Sequence, residues 1–513
     1  MTPAALSIFS SRLDAVCEEM GLVLRKAAFS PNIRDRLDFS CAVFDADGAL
    51  SAQAAHIPVH LGSMAYAMRD IVSGVDWRSG DQLILNDPYL GGTHLPDVTM
   101  IAPVFVAGRL RAFVVNRAHH ADIGAASPGS MPISSRLDEE GLVIAPVHLV
   151  RAGRLDEQVL WQVTAATRNP AESHGDFSAQ LAANRAGSAR LGELIETLGI
   201  SRFAQGVRAL NDYAERLARD ALAQIPPGQY RFTDFLDDDG QGHVDIPIRV
   251  TLTVEPGRVV ADFGGTASQV EGNVNCPLAV AAAAVYYTFR CLMPTQTPAC
   301  AGAFRPIELR APRGCLLNAR KPAAVAAGNV ETSTRVVDVV LGALAQAVPE
   351  RIPAASHGSM NNLAMGSTDH AGSWDYYETI GGGMGAGPEG GGLSGVQTHM
   401  TNTLNTPIEV IETRFPMRIV EYRVRRGSGG DGRRPGGDGL VREYQFLAPA
   451  HFTLLTERRS HRPWGIAGGE AAQAGRNQLN GEMLPAKCEG GLQAGDRLRI
   501  ETPGGGGYGK KAE

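Results

Sequence analysis

Residues 83–124 read LILNDPYLGGTHLPDVTMIAPVFVAGRLRAFVVNRAHHADIG, and this stretch decides both the architecture and the chemistry expected of the chain. Two apolar runs, VTMIAPVFV and RLRAFVV, flank Ala107-Gly108, the pattern of an antiparallel hairpin. Folding it returns Asp97 and His119, twenty-two positions apart, to the same end. Asp87, His94, His120 and Asp122 crowd that end too, beside the Gly91-Gly92 bend. Short His and Asp side chains at strand ends are the donor set of a divalent metal with nitrogen and oxygen ligands. The alternative is a satisfied polar turn network.

Upstream, residues 3–28 place Phe9, Leu13, Val16, Met20 and Leu24 on one face of a helix, which Pro31 ends. RLDFSCAVFDADGALSAQ is a second hairpin turning at residues 45–48. Its Asp38, flanked by Leu37 and Phe39, needs an arginine, backbone amides or a metal as partner. HIPVHLGSMAYAMRDIV passes from an extended segment into a helix. Pro58 between His56 and His60 argues against one helix presenting both to an ion, and each is read as a capping or core histidine in preference to a site residue.

Downstream, SPGSMP opens a long loop suited to a lid or a substrate contact. A helix interrupted at Asn169-Pro170 resumes near Asp176, read most simply as a first-turn acid. After Pro226-Pro227 the texture changes to short alternating strands with Asp-Gly and Pro-Gly turns. The expected organisation is α+β and multi-domain, with mixed helices and largely antiparallel sheets. Its units are 1–225 (α+β, carrying the metal site), 226–325 (β-hairpins and a helix), 326–425 (α+β with a glycine loop) and 426–513 (glycine-rich, β-rich).

At 513 residues the chain exceeds one compact core. Its 60 glycines cluster late among strand-like runs, which implies close backbone packing there. A net charge of -6 with dispersed basic residues leaves no footprint for nucleic acid or an anionic membrane. Seven cysteines without a CxxC pair suit a reduced, cytoplasmic protein, and neither a signal peptide nor a membrane span is read. GGGGYGKK approaches a phosphate loop from Gly504 but has Lys511 where Ser or Thr is needed. Gly385, Gly387 and Gly390 fit GxGxxG without a Rossmann unit, and the Asp237–Gly240 cluster lacks the EF-hand spacing. No nucleotide site is expected on this chain.

Motifs along nearly the whole chain resemble the B component of the hydantoinase/oxoprolinase family, which includes the related subunit of acetone and acetophenone carboxylases. They are SPNIRDRLDFSCAVFDADG, IPVHLGSM, NDPYLGGTHLPDVT, NRAHHADIG, SPGSMP, NVNCP, GNVETSTRVVDVVLGAL, YETIGGGMGAG, THMTNTLNTPIEVIE, SGGDGRRPGGDG, WGIAGGE and TPGGGGYG. The resemblance implies a separate A-type, actin-like partner that binds ATP and phosphorylates a cyclic amide or ketone. It implies a divalent metal, zinc or manganese, on this chain, and a hetero-oligomer such as A2B2. Carried over by motif, the metal candidates are Asp38, His94, Asp97, His119, Asp122 and Asp176. Asp122, His120 and Arg117 are the catalytic candidates, for orienting an imidazole, positioning water or meeting phosphate, with Asn116 beside Arg117. A structural ion pair is the alternative for Arg117. The expected function is ring opening of a hydantoin or 5-oxoproline-like lactam; a ketone carboxylase subunit and a non-catalytic scaffold are the alternatives.

Overall fold

A seven-stranded antiparallel sheet carries the expected hairpins at its centre. The computed structural model describes residues 1–54, 56–367 and 373–511. Within them the strands are β1 (Phe39–Asp45), β2 (Leu50–Gln53), β3 (Gln82–Leu85), β4 (Asp97–Val106), β5 (Arg109–His119), β6 (Val147–Arg151) and β7 (Arg154–Leu155), ordered β2-β1-β5-β4-β3-β6-β7. Ala107 and Gly108 join β4 to β5 with φ of 52° and 69°, the left-handed pair that a two-residue hairpin turn requires.

Both faces of this sheet are covered, so its alternating side chains enter two cores. Ala112, Val114 and Ala118 of β5 join the core beneath the long Pro3–Ala27 and Pro170–Leu198 helices. Phe113 and Val115 face the other way, against Met64, Met68 and Val72 of the Pro58–Ser73 helix. With a period of two, Arg117 and His119 share this second face. The Pro58–Ser73 helix is clamped from behind by the Leu278–Arg290 helix, and the approach is so close that a Cβ on Gly62 would lie 2.5 Å from Ala283 Cα.

Three further sheets complete the mixed α+β architecture. Residues 228–238, 244–255, 258–262 and 307–310 form one, covered by the Ser333–Leu344 helix. Residues 374–378, 362–367, 450–455 and 487–492 form the next, and residues 417–425, 439–446, 497–501, 476–479 and 482–484 the last, each in that spatial order. Among the strand pairs of the described residues only 258–262/307–310 is parallel. The largest apolar core draws residues from Phe9 to Leu455.

The late glycines pack backbone on backbone. Gly505 N–H donates to Gly437 C=O and Gly437 N–H to Met384 C=O, both at 2.9 Å. A Cβ on Gly436 would stand 1.8 Å from Gly505 O. The SPGSMP segment is packed rather than free: Pro128 to Met131 are buried, and Gly129 N–H donates to Asp375 Oδ1 at 3.0 Å. All seven cysteines are unpaired; five are buried, whereas Cys291 is exposed. Among the described residues no helix is long and apolar enough to cross a membrane.

Candidate metal centre

Asp97 and His119 are cross-strand neighbours at the end of the β4–β5 hairpin. His119 Nδ1 lies 3.1 Å from Asp97 Oδ1. On the far side of β5, the His119 N–H donates to the Asp38 carbonyl at 3.0 Å, which sets Asp38 beside His119. His94, in the turn leading into β4, directs Nε2 to within 3.2 Å of Asp97 Oδ2. Its Nδ1 lies 3.3 Å from the Ala326 carbonyl, so the proton belongs on Nδ1 and the Nε2 lone pair is free for a ligand. His60 enters from the first turn of the Pro58–Ser73 helix, with Nε2 3.2 Å from Asp97 Oδ2 and Nδ1 3.3 Å from Ser40 Oγ. Thr93 Oγ1 donates to Asp97 Oδ2 at 2.5 Å, and Asn329 Nδ2 approaches the same oxygen at 3.5 Å.

These groups enclose a cavity of about 20 Å³ lined by Asp38, His60, His94 and His119, with Asn329 and Tyr377 among its other walls. Roughly 10–15 Å³ admits one water-sized particle, so there is room for one ion. His94, Asp97 and His119 bring one donor atom each within 4.8 Å of one another. Nε2 of His94 and Nε2 of His119 are buried without a hydrogen-bond partner, a costly state that a cation relieves. The donor set, imidazoles with carboxylates, fits a divalent transition metal.

The electrostatics have the same centre. Burial alone would raise the Asp97 carboxyl, but the imidazoles of His94, His60 and His119 hold it well below the usual carboxylate range. Burial pushes His119 down, and its contact with Asp97 does not reverse this. Burial also opposes the charged form of His94, yet there Asp97 prevails and the imidazole is raised.

A second layer fixes the first. Tyr377 stacks on His119, with centroids 4.5 Å apart and planes 13° from parallel, and its hydroxyl donates to Asn362 Oδ1. Arg36 lies over the Tyr377 ring at 4.8 Å, donates to the Tyr377 carbonyl at 2.9 Å and pairs with Asp38 at 3.6 Å. Asn329 stands on a single π-helical turn, Gly328–Thr332, a geometry that recurs at functional sites.

The other sequence candidates are not brought to this cavity. Asp122 accepts from Gly124 N–H, Ser130 Oγ and Arg168 N–H, and its carboxylate ties down the 122–130 loop. Next to His119, His120 faces the opposite side of the chain, where Nε2 meets Gln180 Oε1 at 3.0 Å and the ring packs on Phe177. Arg117 shares the His119 face, but its donors go to Thr99 Oγ1, Ser63 Oγ and the Gly91 carbonyl, leaving it structural. Asn116 bonds Gln180 and Asn184 in the core. Asp176 lies inside the Pro170–Leu198 helix, which begins at Pro170 under an Asn169 cap; its Oδ1 accepts from Phe29 and Ser30 N–H.

His60 corrects the sequence reading in the other direction. Pro58 does not break a helix there but begins one, where its missing N–H costs nothing, and His60 two residues later points into the site. His56 precedes the helix, accepts from Cys41 N–H at 3.1 Å and packs on the edge of Phe39. Asn329, Tyr377, Thr379 and Thr401 also line the cavity and were not singled out, although each lies in a motif that carried the resemblance: GNVETSTR, YETIGGG and THMTNT.

Residues 2–511 match the family model described as hydantoinase B/oxoprolinase. A 5-oxoprolinase of Dictyostelium discoideum is 39% identical over the whole chain, which covers 40% of that longer protein. The chain thus spans about two fifths of the length of the 5-oxoprolinases it matches. A protein of a Pseudomonas strain, named as the putative B component of a D-/L-hydantoinase, is 32% identical, with 100% of this chain and 90% of that protein covered. The crystal structure of an ATP-dependent caprolactamase from Pseudomonas jessenii superposes with a TM-score of 0.92 at 28% identity, over 99% of this chain and 91% of that one.

Proposed function

The chain belongs to the hydantoinase B/oxoprolinase family, and from that premise we propose that it is the metal-dependent B component of an ATP-dependent cyclic-amide hydrolase. The observation that carries the reading is the convergence of His94, Asp97 and His119, one donor atom each within 4.8 Å, beside an ion-sized cavity lined by both imidazoles, whose Nε2 atoms are buried without a hydrogen bond. Those three residues would hold a divalent metal, with Asp38 and His60 beside them on the cavity wall. A bound metal of this type supplies hydroxide at neutral pH by lowering the pKa of its water from about 15.7 toward about 7.

The chain's own groups prepare that chemistry. The Ala326 carbonyl fixes the His94 tautomer, Thr93 orients the Asp97 carboxylate, and Arg36 holds Asp38. Tyr377 closes one side of His119 against water. The Asn329 amide on the cavity wall has donors for a carbonyl or phosphate oxygen. Phosphorylation of the amide oxygen falls, in this reading, to an A-type partner that binds ATP. The component naming of the hydantoinase relative and the greater length of the 5-oxoprolinases both support a divided labour of this kind.

The test combines the purified chain, its A-type partner, ATP and either 5-oxoproline or hydantoin. Metal-dependent ring opening that is lost in His94→Ala supports the proposal. Turnover only with a ketone and bicarbonate assigns the chain to carboxylation instead. Absence of bound metal together with full activity of His94→Ala contradicts it.

A further inference from the structure

A second pocket, of about 450 Å³, abuts the metal cavity between the Leu278–Arg290 and Ser333–Leu344 helices and residues 397–402. Thr401 lines both spaces. Tyr287, Leu341, Ile352 and Met384 give the pocket apolar walls. His399 is its unusual member. Its backbone is held at φ 59°, in the left-handed region that few non-glycine residues adopt. The side chain is nine-tenths buried, and Nε2 points at Asp338 Oδ1 from 3.7 Å without a hydrogen bond.

Asp338 is fully buried, and its other oxygen accepts from Arg458 Nη2 at 2.5 Å. A carboxylate fixed in this way favours the proton on Nε2 of the neighbouring imidazole. The remaining edge, Nδ1, is then an acceptor in a pocket whose apolar walls are joined by Arg351, Gln397 and Asn402. Burial depresses the imidazole pKa, against the pull of Asp338, which keeps that acceptor free at neutral pH.

We propose that this pocket is the berth of the cyclic amide ring, with His399 Nδ1 accepting the ring N–H and Asp338 holding the imidazole in the tautomer that does so. Apolar walls suit the methylene edge of a small lactam, and the shared Thr401 places the ring next to the metal cavity. His399 is here a binding residue, and its assignment rests on the cyclic-amide reading given above.

The probe is a pair of neutral rings, 2-pyrrolidone and N-methyl-2-pyrrolidone, titrated onto the full chain in the presence of zinc by ligand-observed NMR. The N–H ring should bind about tenfold more tightly than the N-methyl ring, roughly the worth of one hydrogen bond. His399→Phe should bind both alike, and Met384→Trp, which fills the pocket at its rim, should bind neither. Equal binding of the two rings by the wild-type chain, or a preference that survives in His399→Phe, overturns the proposal; so does ring binding undiminished in Met384→Trp. Metal titration of the same samples separates the two readings. A chain that discriminates between the rings yet takes up no metal keeps the pocket and loses the proposed function, while one that takes up metal without discriminating does the reverse.

Discussion

Thr93→Val tests how tightly the groups around Asp97 govern the proposed metal centre. The Thr93 hydroxyl donates to Asp97 Oδ2 at 2.5 Å, and both residues are fully buried. Valine preserves shape and volume, so the substitution removes the bond and little else. A hydrogen bond to a charged group is worth about 1.5–3 kcal/mol, which corresponds to roughly 10–100-fold in an equilibrium constant. Losing an orienting partner of a metal ligand costs about the same, roughly 10–100-fold in affinity. Competition against a chromophoric chelator at neutral pH should therefore find the dissociation constant for zinc or manganese raised by that factor, with Thr93→Ser close to wild type. An unchanged constant in Thr93→Val, with metal binding otherwise intact, would show that Asp97 is not a ligand held by this bond.

Asp122→Asn should leave metal affinity within about twofold while lowering the melting temperature, because the carboxylate anchors Ser130 and pairs with the mostly buried Arg168 rather than lining the cavity. Glu331 is fully buried and pushed up to about 8, by burial first and by the nearby Glu457 second, from an ordinary 4.5. Between those two values the folded chain binds a proton that the unfolded chain has lost, so this group withdraws stability as pH rises; Glu331→Gln should flatten that part of a denaturation-versus-pH curve. Gly436→Ala should fail to give soluble, folded protein, since its Cβ would stand 1.8 Å from Gly505 O; a normal melting profile would contradict this backbone packing.

The β4–β5 hairpin was legible because its two-residue turn and apolar runs leave one register, and that register alone brings Asp97 to His119. Asp38 was legible for a related reason, as a carboxylate between apolar neighbours immediately before β1. Adjacency in sequence misled elsewhere. His119 and His120 stand side by side in the chain, yet backbone alternation sends the second toward Gln180. Asp122 reads as a further ligand beside Asp38, His94, Asp97 and His119 until the loop beyond it folds back and Ser130 donates to its oxygen. Pro58 has two opposite meanings, break or beginning, and only the docking of the following helix against Ala283 decides for the latter. Asn329 and Tyr377 come from more than two hundred residues downstream, and no local pattern records their approach.

The most direct test of the metal centre is anomalous diffraction from crystals of the full chain grown with zinc or manganese, measured on both sides of the metal absorption edge. One strong peak is expected between His94 Nε2, the Asp97 carboxylate and the His119 ring, absent in Asp97→Ala. No peak at this position under saturating metal, or a sole peak at Asp122 or Asp176, would contradict it.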